Sequence, residues 1–361
     1  MNKDLKDKTL SELEQIVGGM GQKKYLAKYI FHFVHPRCCG DKLAPAKAGG
    51  ATEISQITPL SKDFRGQLAE QGFYISQLAI QKRLSDKDGT VKYVFALGDG
   101  SRIETVLLCD VEDPLRRKGC RTLCVSTQVG CALGCTFCAT AKLGLRRNLT
   151  ASEIVDQVNI AQKDGGRITN VVYMGMGEPL LNYNAVLKSV RILNHPSGKN
   201  IGIRHITVST CGIVPAIRKL AKEDIHPRLA VSLNAPTDTL RTQLMPINAK
   251  YPIAALLKAM RFYQKKTGQR VTFEYVLIKG LNDSAEYARM LSKLLSGLMR
   301  NVNLIEHNPH PGCGFVGSDS RRIKQFASLL DSAGIETTIR YRMGRRIKAA
   351  CGQLGADCLC Y

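Results

Sequence analysis

Cys131-Ala-Leu-Gly-Cys135-Thr-Phe-Cys138 places three thiols within eight residues, at a C-x3-C-x2-C spacing. Thiolates this close can hold metal, and closed sites usually take four ligands, in zinc centres and in iron–sulfur cubanes alike. A group of three implies a metal corner left open for chemistry. A structural zinc knuckle completed by one of the ten other cysteines is the alternative. The chain around the loop bears on the choice.

The loop follows a short apolar strand at 123–126. Further strand-like runs come at 170–174, 205–208, 229–233, 271–277, 302–305 and 337–339, with helical segments between them. One helix opens on the capping box Thr150-Ala-Ser-Glu153. Strands alternating with helices argue for parallel βαβ units, and six or seven of them for an α/β barrel or partial barrel. Such barrels work at the C-terminal ends of their strands, which is where the cysteine loop falls.

Upstream, the periods differ. Thr9-Leu-Ser-Glu12 is a capping box opening a short helix that Gly18-Gly19 closes, and Tyr25, Leu26, Tyr29, Ile30 and Phe33 form the stripe of a second. Lys23, Lys24 and Lys28 lie off that stripe. Residues 40–51, with Pro45 and Gly49-Gly50, read as a loop before a third helix over 61–70. Strands at 74–84, 91–97 and 102–109, joined by Asp86-Lys-Asp-Gly89 and Gly98-Asp-Gly100, read as an antiparallel meander. The expected organisation is a helical accessory domain over 1–70, an antiparallel extension over 71–121 and a catalytic domain over 122–361.

Composition narrows the partners. Fifty-two Lys and Arg against 30 Asp and Glu give +22, an excess that suits RNA, DNA or an anionic membrane surface. No apolar run reaches about 18 residues and MNKDLKDKTL lacks a signal-peptide core, so the expectation is a soluble, cytoplasmic protein with no membrane span. Thirteen unevenly spaced cysteines in a chain of 361 residues point to reduced thiols rather than a disulfide scaffold. Cys38, Cys39, Cys109, Cys211 and Cys313 read as small apolar filler.

After the second barrel strand comes Gly175-Met-Gly177-Glu178-Pro179, whose glycines let backbone approach a ligand while Glu178 could take an ammonium group. Ser209, Ser232 and Asn308 also stand at or just past strand ends. The three-cysteine loop followed by this motif resembles the radical S-adenosylmethionine (SAM) enzymes. More specifically, residues 21–354 resemble the RlmN/Cfr family of radical SAM RNA methyltransferases. The match rests on Thr58-Pro-Leu-Ser-Lys62, Arg102-Ile-Glu-Thr-Val106, Leu123-Cys-Val-Ser-Thr-Gln-Val-Gly-Cys131, Arg147-Asn-Leu149, Val172-Tyr-Met-Gly-Met-Gly-Glu-Pro179, Met245-Pro-Ile-Asn248 and Ala349-Ala-Cys-Gly-Gln-Leu354.

The resemblance implies one [4Fe-4S] cluster on Cys131, Cys135 and Cys138, with SAM held by Gly177, Glu178, Ser209, Ser232, Leu233, Asn234 and Asn308. It implies methylation of carbon 2 of an adenine in 23S rRNA and tRNA, fed by an electron donor such as flavodoxin or ferredoxin. In the family mechanism a first SAM methylates the thiolate at the Cys351 position, and a radical from a second SAM takes hydrogen from that methyl group. The resulting methylene adds to adenine. Glu104 matches the proton acceptor, and Cys124 the thiol that releases the RNA by forming a disulfide with Cys351. Position 234 is Asn where some relatives carry His, and Cys358 and Cys360 have no counterpart. Arg340, Arg342, Arg345, Arg346 and Lys348, with Arg146 and Arg147, would place positive charge around the mouth, where phosphate contacts position RNA. The alternatives are methylation of carbon 8 and a non-catalytic iron–sulfur or zinc protein that binds RNA.

Overall fold

The computed structural model describes residues 3–37, 50–109, 119–340, 342–355 and 358. Most of the expected loop at 40–51, together with Cys38, Cys39 and Cys360, lies outside them. Near the N-terminus are α1 (Leu10–Gly19), α2 (Leu26–Val34) and α3 (Lys62–Glu70). The Thr9 capping box is present, its hydroxyl accepting from Glu12 N–H while the Glu12 carboxylate accepts from Thr9 N–H.

A meander follows, β1 (Ala79–Ser85), β2 (Val91–Ala96) and β3 (Arg102–Cys109), and then β4 (Arg121–Cys124). Next come the two short strands β5 (Gln128–Gly130) and β6 (Leu145–Asn148). The remaining strands are β7 (Asn170–Tyr173), β8 (Ile206–Thr210), β9 (Arg228–Ser232), β10 (Val271–Leu277), β11 (Arg300–Glu306) and β12 (Glu336–Arg340). Between them run α4 (Ala151–Gly165), α5 (Tyr183–Asn194), α6 (Val214–Leu220), α7 (Asp238–Leu244), α8 (Ile253–Thr267), α9 (Ala285–Leu294) and α10 (Ser320–Ser332).

Ten strands form one sheet in the order β1-β2-β3-β4-β7-β8-β9-β10-β11-β12. From β4 to β12 the pairs are parallel with a helix in each crossover, the partial barrel expected. The meander joins the same sheet, because β3 pairs antiparallel with β4, setting Val106 opposite Cys124. Strands covered on both faces need apolar side chains throughout, and Val171, Val208, Leu229, Val231, Val302 and Leu304 are accordingly buried.

The N-terminal segment is pinned to the barrel by charge as well as apolar contact. The Lys6 ammonium reaches Asp156 on α4 at 2.5 Å with both side chains buried, and the other Asp156 oxygen accepts from Leu78 N–H at 2.8 Å. A doubly anchored carboxylate of this kind fixes where the segment lies, since losing one buried partner costs about 3–5 kcal/mol.

The two-stranded ribbon β5–β6 has no counterpart among the strands expected from sequence. It brackets the cysteine loop, and Cys131 N–H donates to the Gly144 carbonyl at 2.9 Å. Gly130 (φ 78°) permits the closure, because a Cβ there would lie 1.7 Å from the Gly144 oxygen.

Candidate active site

The site forms where the parallel strands end. Cys131, Cys135 and Cys138 leave β5 in one loop, whose far side is held by Thr136 N–H donating to the Leu244 carbonyl at 3.0 Å. Burial, with the charges of Cys135, Cys138 and Glu178, pushes the Cys131 thiol up to about 12, and burial and Cys135 raise Cys138. Among the described residues, no three His, Cys, Asp or Glu side chains converge as a single bound ion requires. A cubane makes a different demand, since each thiolate takes its own iron. Three neighbouring thiols, Cys135 buried and Cys131 and Cys138 half-buried, that would repel once ionised fit a cationic cluster that offsets their charge.

Cys211 was expected to be filler, and the structure corrects this. Its thiol faces Cys135, which together with burial raises its pKa well above the usual range. Its backbone N–H donates to Glu178 Oε2 at 2.7 Å, while Glu178 Oε1 accepts from Leu180 N–H at 3.0 Å. Glu178 is buried, and burial raises its pKa. The glycines before it answer to close approach. A Cβ on Gly175 would lie 2.6 Å from the Val125 oxygen, and one on Gly177 (φ 100°) 2.5 Å from Gln128 Cβ.

Ser209 and Ser232 lie at half-buried positions near the ends of β8 and β9, and Ser232 is paired in register with Glu274. Leu233 and Asn234 are buried. Leu233 N–H donates to the Glu274 carbonyl, and the Asn234 amide accepts from Val276 N–H at 2.8 Å and donates to Met245 Sδ at 3.2 Å. These bonds spend both residues on holding the strand ends. Asn308, past β11, donates to the Cys351 carbonyl at 3.1 Å and so ties the C-terminal turn to the barrel.

Cys124 ends β4 and is buried. Burial first, and then the charge of Cys351, raises its thiol well above the usual range. Cys351 stands on a turn and is exposed as a residue, yet desolvation, Glu274 and Cys138 raise its thiol while Arg340 opposes them. Cys124, Cys351 and the cluster loop are thus near enough to act on one another, although β4 and β12 are far apart in the sheet order. Glu104 on β3 is fully buried. Its carboxylate faces Lys92 at 3.4 Å, and Cys358 donates to Oε1 at 3.8 Å.

Sequence reasoning missed four residues: Lys92, Cys211, Glu274 and Arg241. Glu274 is buried and accepts from Asn303 at 2.8 Å. The basic residues also divide. Arg147 is committed to Asp99 at 2.6 Å and Glu153 at 2.8 Å, and Arg342 to Glu306 at 2.7 Å, whereas Arg345, two-thirds exposed, reaches the same Glu306 only at 4.0 Å.

Residues 125–291 match the model of the Radical SAM superfamily, and the cysteine loop and glycine motif lie within that stretch. The chain is a radical SAM protein. A dual-specificity RNA methyltransferase RlmN of Syntrophobacter fumaroxidans is 44% identical over 356 residues, covering 98% of each chain. A probable dual-specificity RNA methyltransferase RlmN of Thermoanaerobacter sp. strain X514 is 45% identical over 352 residues, or 97% of each. The crystal structure of a radical SAM methyltransferase from Sphaerobacter thermophilus superposes with a TM-score of 0.87 at 45% identity, covering 98% of this chain and 100% of that one. The chain belongs to the RlmN family of dual-specificity RNA methyltransferases.

Proposed function

We propose that this protein methylates carbon 2 of an adenine in 23S rRNA and tRNA, with Cys351 as methyl carrier, Glu104 as proton acceptor and Cys124 as the thiol that frees the product. The observation that carries this reading is the seat of the Cys351 turn against the cysteine loop, where Ala139 N–H donates to the Gly352 carbonyl at 2.8 Å and Asn308 to the Cys351 carbonyl at 3.1 Å, with Cys351 near enough to bear on Cys124 at the end of β4. Relatives matching nearly the whole chain carry RNA methyltransferase names, which supports RNA as the substrate.

Cys131, Cys135 and Cys138 would hold a [4Fe-4S] cluster, and Gly177, Glu178, Ser209, Ser232, Leu233, Asn234 and Asn308 would line the SAM site. Bound there, these groups supply the methyl group and the radical that takes a hydrogen atom from it. Carbon 2 of adenine is electron-poor, so a nucleophilic attack on SAM is a poor route and a carbon carried on Cys351 a better one. Glu104, paired with Lys92, is held as an acceptor for the ring proton. The Cys124 sulfur then bonds to the Cys351 sulfur as the carbon–sulfur bond breaks, and the carbon keeps the electron pair and takes a proton. The product methyl group forms and a disulfide remains, and the one electron left over would pass to an acceptor, a role that the cluster, once oxidised in forming the radical, would fill. Flavodoxin or ferredoxin would supply electrons. The +22 surplus supports binding to RNA phosphates. Among the described residues no helix is long and apolar enough to cross a membrane.

The test is anaerobic incubation of reconstituted protein with an rRNA fragment or tRNA, followed by nucleoside mass spectrometry against 2-methyl- and 8-methyladenosine standards. The first product is expected; only the second, or neither, contradicts the assignment.

A further inference from the structure

Arg241, on α7, is fully buried and is the largest fully buried side chain among the described residues. Its Nε donates to the Leu233 carbonyl at 3.1 Å and its Nη1 to Asn248 Oδ1 at 2.9 Å. Its Nη2 donates to the carbonyls of Cys211 at 2.7 Å and Ser232 at 3.2 Å. Every one of these acceptors is neutral. The acid on the same helix, Asp238, gives Oδ1 to Asn248 and to Ile253 N–H instead. A guanidinium does not lose its proton in a protein, so the positive charge is permanent, and burying it against neutral groups alone is costly.

Two contacts bring this charge to the cysteine loop. Arg241 holds the carbonyl of Cys211, whose thiol is near enough to be acted on by Cys135, and the last carbonyl of α7, at Leu244, accepts from Thr136 within the loop. Thiolates at Cys211 and Cys135, and the Asp238 carboxylate, would be the compensating charges for this guanidinium.

We infer that Arg241 is the fixed counter-charge of the iron–sulfur cluster and raises its reduction potential. The inference rests on the reading that Cys131, Cys135 and Cys138 hold that cluster. Three thiolates leave a cubane net negative, and an added electron increases that charge. A nearby buried cation therefore stabilises the reduced form more than the oxidised one, net charge being a recognised lever on such potentials. The same residue clamps the carbonyls at the ends of β8 and β9, so a purely structural role must be told apart. The sign of the shift does this: losing the cation lowers the potential, whereas a loosened, wetter site stabilises the added charge and does not.

The experiment compares the parent with Arg241→Gln and Arg241→Lys, each reconstituted anaerobically, by iron and sulfide content and by a redox titration read by electron paramagnetic resonance without SAM or RNA. Arg241→Gln should favour the oxidised form about tenfold, a fall of about 59 mV for one electron, and Arg241→Lys should recover most of it. Should Arg241→Gln load poorly, Arg241→Met decides, because it removes the charge while keeping an unbranched apolar stem, and it too should lower the potential. An unchanged or raised potential in the variant that loads overturns the inference. A parent that takes up no iron and sulfide overturns the cluster reading instead.

Discussion

The Nζ of Lys92 lies 3.4 Å from Oε2 of Glu104, with both side chains fully buried, one strand apart in the antiparallel meander. A buried ion pair is not by itself a strong source of stability, but removing one partner leaves the other charged without compensation. Lys92→Met should destabilise the protein by about 3–5 kcal/mol in urea unfolding, and Lys92→Met with Glu104→Gln should recover much of the loss. Equal stabilities for the single and double variants would show that the pair does not couple.

Gly177 adopts φ 100°, and a Cβ would strike Gln128, whose Oε1 accepts from Glu178 N–H at 2.8 Å. Gly177→Ala should therefore shift Glu178 and weaken SAM binding at least tenfold, about 1.4 kcal/mol, in equilibrium dialysis of the reconstituted protein. Unchanged affinity would remove this motif from the SAM site.

His35 is buried against Phe31, with ring centroids 4.9 Å apart, and burial, with Lys199 and Lys6 nearby, holds its pKa well below the ordinary value of 6.5. The folded chain keeps this imidazole neutral while the unfolded chain takes a proton near that value. Its contribution to stability is present above pH 6.5 and is lost as pH falls below it, at up to about 1.4 kcal/mol per pH unit until the folded-state pKa is reached. Urea midpoints from pH 7 to 5 should fall less steeply in His35→Gln than in the parent. Parallel curves would mean that another group sets the acid limit.

The strands were legible because their alternation or apolar runs are local, and the cysteine loop because its ligands are adjacent in sequence. The ribbon β5–β6 was not legible. Leu145-Arg-Arg-Asn148 is mostly exposed, and its pairing depends on Gly130 and Gly144 meeting. Lys92, inside Val91-Lys-Tyr-Val-Phe95, reads as an outward residue of a half-buried strand, and only the fold brings Glu104 against it. Arg241 and Cys211 escaped for the same reason. Their meaning comes from ends of strands distant in sequence, as with Arg147, whose exposed look hid two carboxylate partners. Cys124, Cys351 and Glu104 stand out only through family resemblance, and by themselves they look like core, structural and strand residues.

A buried Cys124 thiol held well above its usual pKa must ionise before it can attack. Release of bound RNA in single turnover should therefore speed up about tenfold per pH unit between pH 7 and 9, following the thiolate fraction. A pH-independent release would assign the slow step to another group.

Replacing Cys124 by Ala tests the central claim most directly, because cluster assembly, SAM binding and methylation of Cys351 should survive while release fails. Reconstituted Cys124→Ala incubated with SAM, reductant and RNA should give a slow-migrating band on a denaturing gel that nuclease removes, and the band should vanish when Cys351 is also Ala. Normal turnover by Cys124→Ala with no adduct would make Cys124 a packing residue and contradict the carrier-and-release account.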